Sequence, residues 1–260
     1  NDLPLPQEIA RMDMDRLRAY RENLDFYNGF QWPGTARRRE RRLTFNYTKA
    51  FIDKVASYLM TELSFSVEPQ DSSQEARDQA KGTEDVLRRV YRENHLDQLD
   101  FDTEIDTAIL GDGCYKVTWD TAEQRVRVST PDVQGVYAWW LADDVSRLWR
   151  VASRYQLSVE EVQMLYGYSA PGARLGKKEA IVVEVWTDGQ FQLWVDNALV
   201  EEKPNPYAFI PFIIYPNLRE PKKFWGISDI PPLVEPSREL NRALSQLSMI
   251  LELSGNPIAV

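Results

Sequence analysis

The sequence predicts an α+β fold, with a helical N-terminal part, an antiparallel or mixed sheet and a long C-terminal helix. Apolar residues recur at steps of three and four up to about residue 110. They alternate with period two between about residues 115 and 195, and helical spacing returns after residue 228. Helices and strands do not alternate regularly, which argues against a parallel βαβ sheet.

The N-terminal part contains four predicted helices, over residues 6–28, 46–63, 72–94 and 97–110. Asn46 is a typical N-cap for the second of them. Ser72 and Glu75 have the spacing of a capping box at the start of the third. Gly111 is expected to end the fourth.

The middle of the chain is predicted to be rich in strands, over residues 115–119, 125–129, 133–140, 148–155, 181–187 and 190–195. Asp188 and Gly189 stand between the last two and predict a tight hairpin. Ser158 and Glu161 form a second capping box, which predicts a short helix to Tyr166.

The last helix is predicted from residue 228 or 229 to about 253, which is about 37 Å of helix. Five leucines recur along it at steps of seven, four, three and four. We call them the leucine seam: Leu233, Leu240, Leu244, Leu247 and Leu251. The seam could be covered by the core of the same domain or by copies of the same helix. Its narrowness, and the proline-rich connector before it, favour the copies, so we expect the seam to be an oligomer interface.

The composition excludes several kinds of functional site. A single Cys excludes a disulfide framework and a Cys-rich metal site, and a single His excludes a multi-histidine metal site. The longest apolar run, from Phe209 to Tyr215, is far shorter than a membrane span. We therefore expect no cofactor, no metal and no membrane partner. Cys114 is expected to be a small buried residue, and His95 to lie in a turn.

An acidic helix offers the alternative function. Its carboxylates are Asp97, Asp100, Asp102, Glu104 and Asp106. Asp102 and Asp106 share a helix face, and paired carboxylates can hydrolyse glycosidic bonds, with Trp119, Trp186 and Trp194 available to stack on sugars. Like charges four residues apart are more typical of a solvated surface, and packing on a sheet explains the tryptophans equally well. We therefore predict no catalytic residue.

A basic cluster stands out in a chain with 31 Lys and Arg against 40 Asp and Glu, a net charge of −9. It consists of Arg37, Arg38, Arg39, Arg41 and Arg42. Contact with nucleic-acid phosphates, contact with an acidic partner surface and a plain solvated loop all fit this pattern.

Several motifs, in their order and spacing, resemble the portal (head–tail connector) proteins of tailed bacteriophages, specifically the SPP1-like family. They are Tyr27-Asn28-Gly29, residues 46–59 from Asn46-Tyr47, residues 108–117 around Gly111-Asp112-Gly113, Ile210-Pro211-Phe212, residues 224–230 around Trp225-Gly226, residues 239–245 around Asn241, and Gly255-Asn256-Pro257.

The resemblance implies a non-enzymatic virion protein that forms a ring, typically of twelve subunits, at one capsid vertex. Residues 1–225 would form the wing (helical over 1–110, strand-rich over 114–215), residues 226–254 the first stem helix, and residues 255–260 the start of the clip. We expect the chain to be part of a longer polypeptide. Implied partners are double-stranded DNA passing through without sequence specificity, terminase, a head-completion adaptor, scaffold and coat proteins. Assembly would take place in the host cytoplasm.

Overall fold

The computed structural model describes residues 5–38, 40–60, 65–170 and 178–255. The helices are α1 (Leu5–Ile9), α2 (Met14–Tyr27), α3 (Tyr47–Leu59), α4 (Gln74–Glu93), α5 (Leu96–Leu110), α6 (Val159–Tyr166) and α7 (Pro231–Gly255). The strands are β1 (Asp112–Asp120), β2 (Arg125–Ser129), β3 (Val136–Leu141), β4 (Asp144–Ser158), β5 (Glu179–Trp186), β6 (Gln190–Val195), β7 (Ala198–Pro204) and β8 (Phe212–Pro216). The predicted α+β class is confirmed.

The strands form two antiparallel sheets. One has five strands in the order β3-β4-β5-β6-β7, and the other has three in the order β2-β1-β8. The predicted Asp188-Gly189 hairpin is confirmed, because β5 and β6 pair directly with Trp186 opposite Phe191. Strands β7 and β8 were not predicted; the prolines at 204, 206, 211 and 216 lie at their ends and between them, in the segment interpreted above as a proline-rich connector.

Both faces of the five-stranded sheet are covered. On one face, Ile9 of α1 packs into a cluster that contains Tyr137 and Val183. On the other, Val162 of α6 packs into a cluster with Val151. A third cluster joins the helices, and it includes Tyr20, Ile52, Ile109 and Ile230. The last of these residues stands just before α7, so the start of the long helix is anchored in the helical core.

A buried ion pair connects the two sheets. Lys116 of β1 contacts the carboxylate of Glu184 on β5, and the Tyr155 hydroxyl donates a 2.7 Å hydrogen bond to the same carboxylate. Burial raises the pKa of Glu184, but the Lys116 charge and the hydrogen bonds from Lys116, Tyr155 and Trp186 outweigh burial and hold it below its usual range. The two sheets are therefore joined by a charge pair as well as by apolar packing.

Three local predictions were wrong in detail. The helix predicted over 6–28 is two helices, because Asp13 adopts a left-handed conformation (φ 53°) between them. The cap of α4 is Ser73 and not Ser72, because the Asp71 carboxylate accepts the Ser73 N–H at 2.7 Å and shifts the start by one residue. Residues 133–135 form a 3-10 turn before β3. The predicted end of α3, at residue 63, falls in 61–64, outside the described residues.

Other local predictions are confirmed. Asn46 caps α3 by accepting the Lys49 N–H at 3.1 Å, and both hydrogen bonds of the Ser158–Glu161 capping box are present. His95 lies in the turn before α5 with φ 50°. In the described part of the chain, no helix combines the length and the apolar character that a bilayer crossing requires.

Candidate assembly interface

The base of α7 is fixed by a close approach of two glycines. A Cβ on Gly226 would lie 2.5 Å from the Gly111 carbonyl oxygen and 2.6 Å from Cβ of Pro216. Gly111 itself ends α5 with φ 110°, a conformation that side chains disfavour. Two segments that the sequence singled out, 108–117 and 224–230, therefore meet where the long helix begins.

Polar groups complete this junction. The Ser228 hydroxyl accepts the Ile230 N–H at 3.0 Å and lies 3.0 Å from the Ala108 carbonyl oxygen. Asp112 accepts the Gly226 N–H at 2.8 Å and a hydrogen bond from the Tyr20 hydroxyl. Burial raises the pKa of Asp112, and these two hydrogen bonds, together with the nearby Arg16 charge, oppose that rise.

Beyond its base, α7 faces its own chain through polar side chains. The buried residues of the helix are Asn241 and Ser245, and Ser237 stands one turn earlier in the same row. We call these three residues the polar stripe. Ser237 lies 2.9 Å from the Thr48 hydroxyl of α3, and Ser245 accepts the Leu43 N–H at 3.0 Å. A buried helix face would ordinarily be apolar, so this arrangement reverses the usual one.

Asn241 is the centre of the polar contact. It is 1% exposed, accepts the Phe45 N–H at 2.7 Å and donates to Gln31 Oε1 at 2.7 Å. Gln31 in turn donates to Asn46 Oδ1 at 2.9 Å, and Asn46 donates to the Tyr27 carbonyl at 2.7 Å. A chain of side-chain amides therefore connects the end of α2, the start of α3 and α7.

The leucine seam lies about a quarter of a turn around α7 from the polar stripe. Leu233 packs against the helical core of its own chain. Leu244 is partly buried, whereas Leu240 is 38% exposed, Leu247 49% and Leu251 62%. The predicted interface residues thus separate into Leu233, which is anchored in the core, Leu244, which is partly buried, and three exposed leucines. We call these three, Leu240, Leu247 and Leu251, the outer leucine seam.

The basic cluster lies in the loop that follows α2 and runs beside α7. Arg41 reaches Glu252 of α7 at 2.6 Å. Arg42 pairs with Glu40 at 3.0 Å and donates to the Gly34 carbonyl at 2.8 Å. Arg37 and Arg38 are exposed in this loop, and Arg39 is outside the described residues. At least two of the arginines are therefore engaged within the chain.

The acidic helix α5 carries two carboxyl groups with raised pKa values and lies beside a cavity. Partial desolvation, with Asp132 and Asp102 nearby, raises the pKa of Asp106, and burial with Asp229 nearby does the same for Glu104. A cavity of about 970 Å³ beside this helix is lined by Asp97 and Asp100 but not by Asp102 or Asp106. Among the residues that the structure describes, no group of three or more His, Cys, Asp or Glu is arranged to hold a metal ion.

Cys114, the one cysteine of the sequence, is 2% exposed and lies in the core of the sheet. Burial raises its thiol pKa to about 12, so the thiol stays protonated at neutral pH, as expected of a packing residue.

The sequence did not predict that Gln31 is buried or that Asn241 faces inward. A buried amide in a loop has no periodicity or spacing by which a sequence could reveal it.

The comparisons with known proteins agree with the geometry. A search of curated proteins gives no match. Residues 8–260, nearly the whole chain, match the family model described as phage portal protein, SPP1 Gp6-like. Three of the motif segments, residues 46–59, 108–117 and 224–230, meet at the base or along the inner face of α7. The chain therefore belongs to the SPP1-like family of phage portal proteins.

Proposed function

We propose that the chain is one subunit of a closed portal ring at a capsid vertex, and that the outer leucine seam is covered by the neighbouring subunit. One observation carries this proposal: α7 contacts its own chain through the polar stripe and leaves Leu240, Leu247 and Leu251 facing solvent. This helix contacts its own subunit through amides and hydroxyls but exposes leucines to water. Such an exposed apolar row is typical of a surface that binds an apolar partner.

Burial of the outer leucine seam contributes part of the energy of each subunit contact. Full burial of a leucine side chain contributes about 1.5–3 kcal/mol, so Leu240, Leu247 and Leu251, which are about half-exposed, offer about 3 kcal/mol for each interface. A head-to-tail interface that closes into a ring uses this contribution once per subunit and leaves no open end. Twelve subunits is the number that the family resemblance implies.

The ring would conduct double-stranded DNA during packaging and ejection, and would serve as a platform for terminase, head-completion, scaffold and coat proteins. A net charge of −9 per subunit supports a conduit, since a wall rich in Lys and Arg would bind phosphates and resist sliding. Repulsion from acidic walls fades over about 8 Å at physiological salt, so it centres the duplex without excluding it. The basic cluster remains a predicted contact for DNA or for an acidic partner surface.

The test compares the full-length protein with Leu247→Asp by native mass measurement and negative-stain imaging. We expect closed rings for the unchanged protein. We expect Leu247→Asp to be folded but unassembled, because the change removes about 1 kcal/mol of apolar burial and places a charge in a dry interface, which costs several kcal/mol more. Gln246→Asp, at an exposed position beside it, is the matched control and should still form rings. Normal rings from Leu247→Asp, or none from the unchanged protein, would contradict the proposal.

A further inference from the structure

A second apolar row lies on the outer side of α3. Tyr47, Phe51 and Tyr58 are 61%, 51% and 69% exposed. At about 100° per residue they lie within about 40° of one another around the helix, and we call them the aromatic stripe. The inward side of α3 is occupied by Thr48, Ile52 and Ala56, about a third of a turn away, so the aromatic stripe makes no contribution to the core.

The dimensions of the aromatic stripe match those of the outer leucine seam. Tyr47 to Tyr58 and Leu240 to Leu251 each span 11 residues, or about 16 Å of helix. The flanks are compatible with an apolar contact. On α3 the neighbouring charge is Lys54, whose ammonium lies 4.4 Å from the centre of the Tyr58 ring. On α7 the positions beside the seam are Ala243 and Ser248, which are uncharged.

A head-to-tail ring requires two different surfaces on each subunit, because the surface that meets the seam belongs to another part of the neighbour. We propose that this second surface is the aromatic stripe, so that the leucines of one α7 pack on α3 of the next subunit. This inference rests on the proposed ring and names the partner of its seam. On the described helices other than α3 and α7, two adjacent exposed apolar pairs remain. Val86 and Leu87 on α4 stand between the charged residues Asp85 and Arg88, and Met164 and Leu165 lie on α6, which has only eight residues; neither pair matches the length of the seam.

The first experiment uses Tyr58→Glu in the full-length protein, with Met164→Glu as the control for introducing a charge at an exposed apolar helix position. We expect Tyr58→Glu to keep its thermal unfolding profile and to lose ring assembly, and Met164→Glu to form rings. If Tyr58→Glu forms rings of unchanged mass while Leu247→Asp does not, the seam meets another surface and this inference is wrong, although the proposed ring survives. If Leu247→Asp also forms normal rings, the proposed function itself fails.

Mixing the two variants supplies a second, independent readout. Tyr58→Glu keeps an intact α7 and Leu247→Asp keeps an intact α3, so together they can form one interface and no more. Native mass measurement of the concentrated mixture is expected to show heterodimers as the largest species, with each variant alone remaining monomeric. A mixture that stays monomeric, or either variant forming homodimers by itself, would contradict the pairing of the aromatic stripe with the seam.

Discussion

Replacing Asn241 by Ala tests the polar attachment of α7 to its own subunit. The change removes the hydrogen bond to Gln31 Oε1, which is left buried without that donor, and the one from the Phe45 N–H. A buried acceptor without a partner costs about 1–3 kcal/mol, and the half-buried N–H adds about 1 kcal/mol. We expect the free energy of unfolding to fall by about 3 kcal/mol, which for a chain of this size lowers Tm by about 6–12 °C.

The assay is thermal unfolding followed by circular dichroism, in the Leu247→Asp background so that assembly does not contribute to Tm. Gln246→Ala, at the exposed position four residues before Ile250 on the same helix, is the matched control and should change stability by less than about 0.5 kcal/mol. If Asn241→Ala unfolds at the same temperature as Gln246→Ala, α7 is not attached through the polar stripe. The conclusion that α7 contacts its own subunit through a polar face would then be wrong.

Three further predictions concern the contact between the two sheets, the junction at the base of α7 and helix α4. Glu184→Gln leaves Lys116 buried without its partner and should lower the free energy of unfolding at pH 7 by about 3 kcal/mol. The folded pKa of Glu184 lies below its unfolded value, so the stabilisation by the ionised carboxylate is present above about pH 4.3 and is lost as pH falls through the folded pKa. The free energies of unfolding of the two proteins, measured by denaturant titration, should therefore converge in acid. A difference between them that does not change with pH would refute this. Gly226→Ala brings a methyl group against the Gly111 carbonyl and should cost at least about 2 kcal/mol by the same titration, and an unchanged midpoint would refute the close approach. Gly82→Ala, within α4 and with nothing within 4 Å of its added Cβ, should instead raise stability by about 1 kcal/mol, and destabilisation would show that this space is filled.

Local signals in the sequence predicted much of the fold. The Asp188-Gly189 hairpin, the Asn46 cap and the Ser158–Glu161 box were all found, because each depends on residues within a few positions of one another. Strand β8 was missed because it is held by pairing with β1, about 100 residues earlier in the chain. Pairing between distant segments decides such a strand, and nothing in residues 212–216 alone records it.

The candidate interface, too, was predictable only in part from the sequence. Leucine spacing predicted the apolar row along α7, since periodicity is a property of the helix itself. The inner surface could not be recognised, because Asn241 and Ser245 look like solvent-facing residues until Gln31 and the backbone of residues 43 and 45 are brought to them. Polar residues that are buried against a distant loop are exceptions to the rule that polar side chains face solvent.

The most direct test of the central claim is the reactivity of a thiol within the leucine seam. In assembled full-length protein, Leu247→Cys should be strongly protected from a maleimide reagent, whereas Met164→Cys in an equivalent preparation should react quickly, and buried Cys114 should add little background. Protection of Leu247→Cys should disappear in the unassembled fraction. If Leu247→Cys reacts as fast as Met164→Cys in intact rings, the seam faces solvent in the assembly and the neighbouring subunit does not cover it.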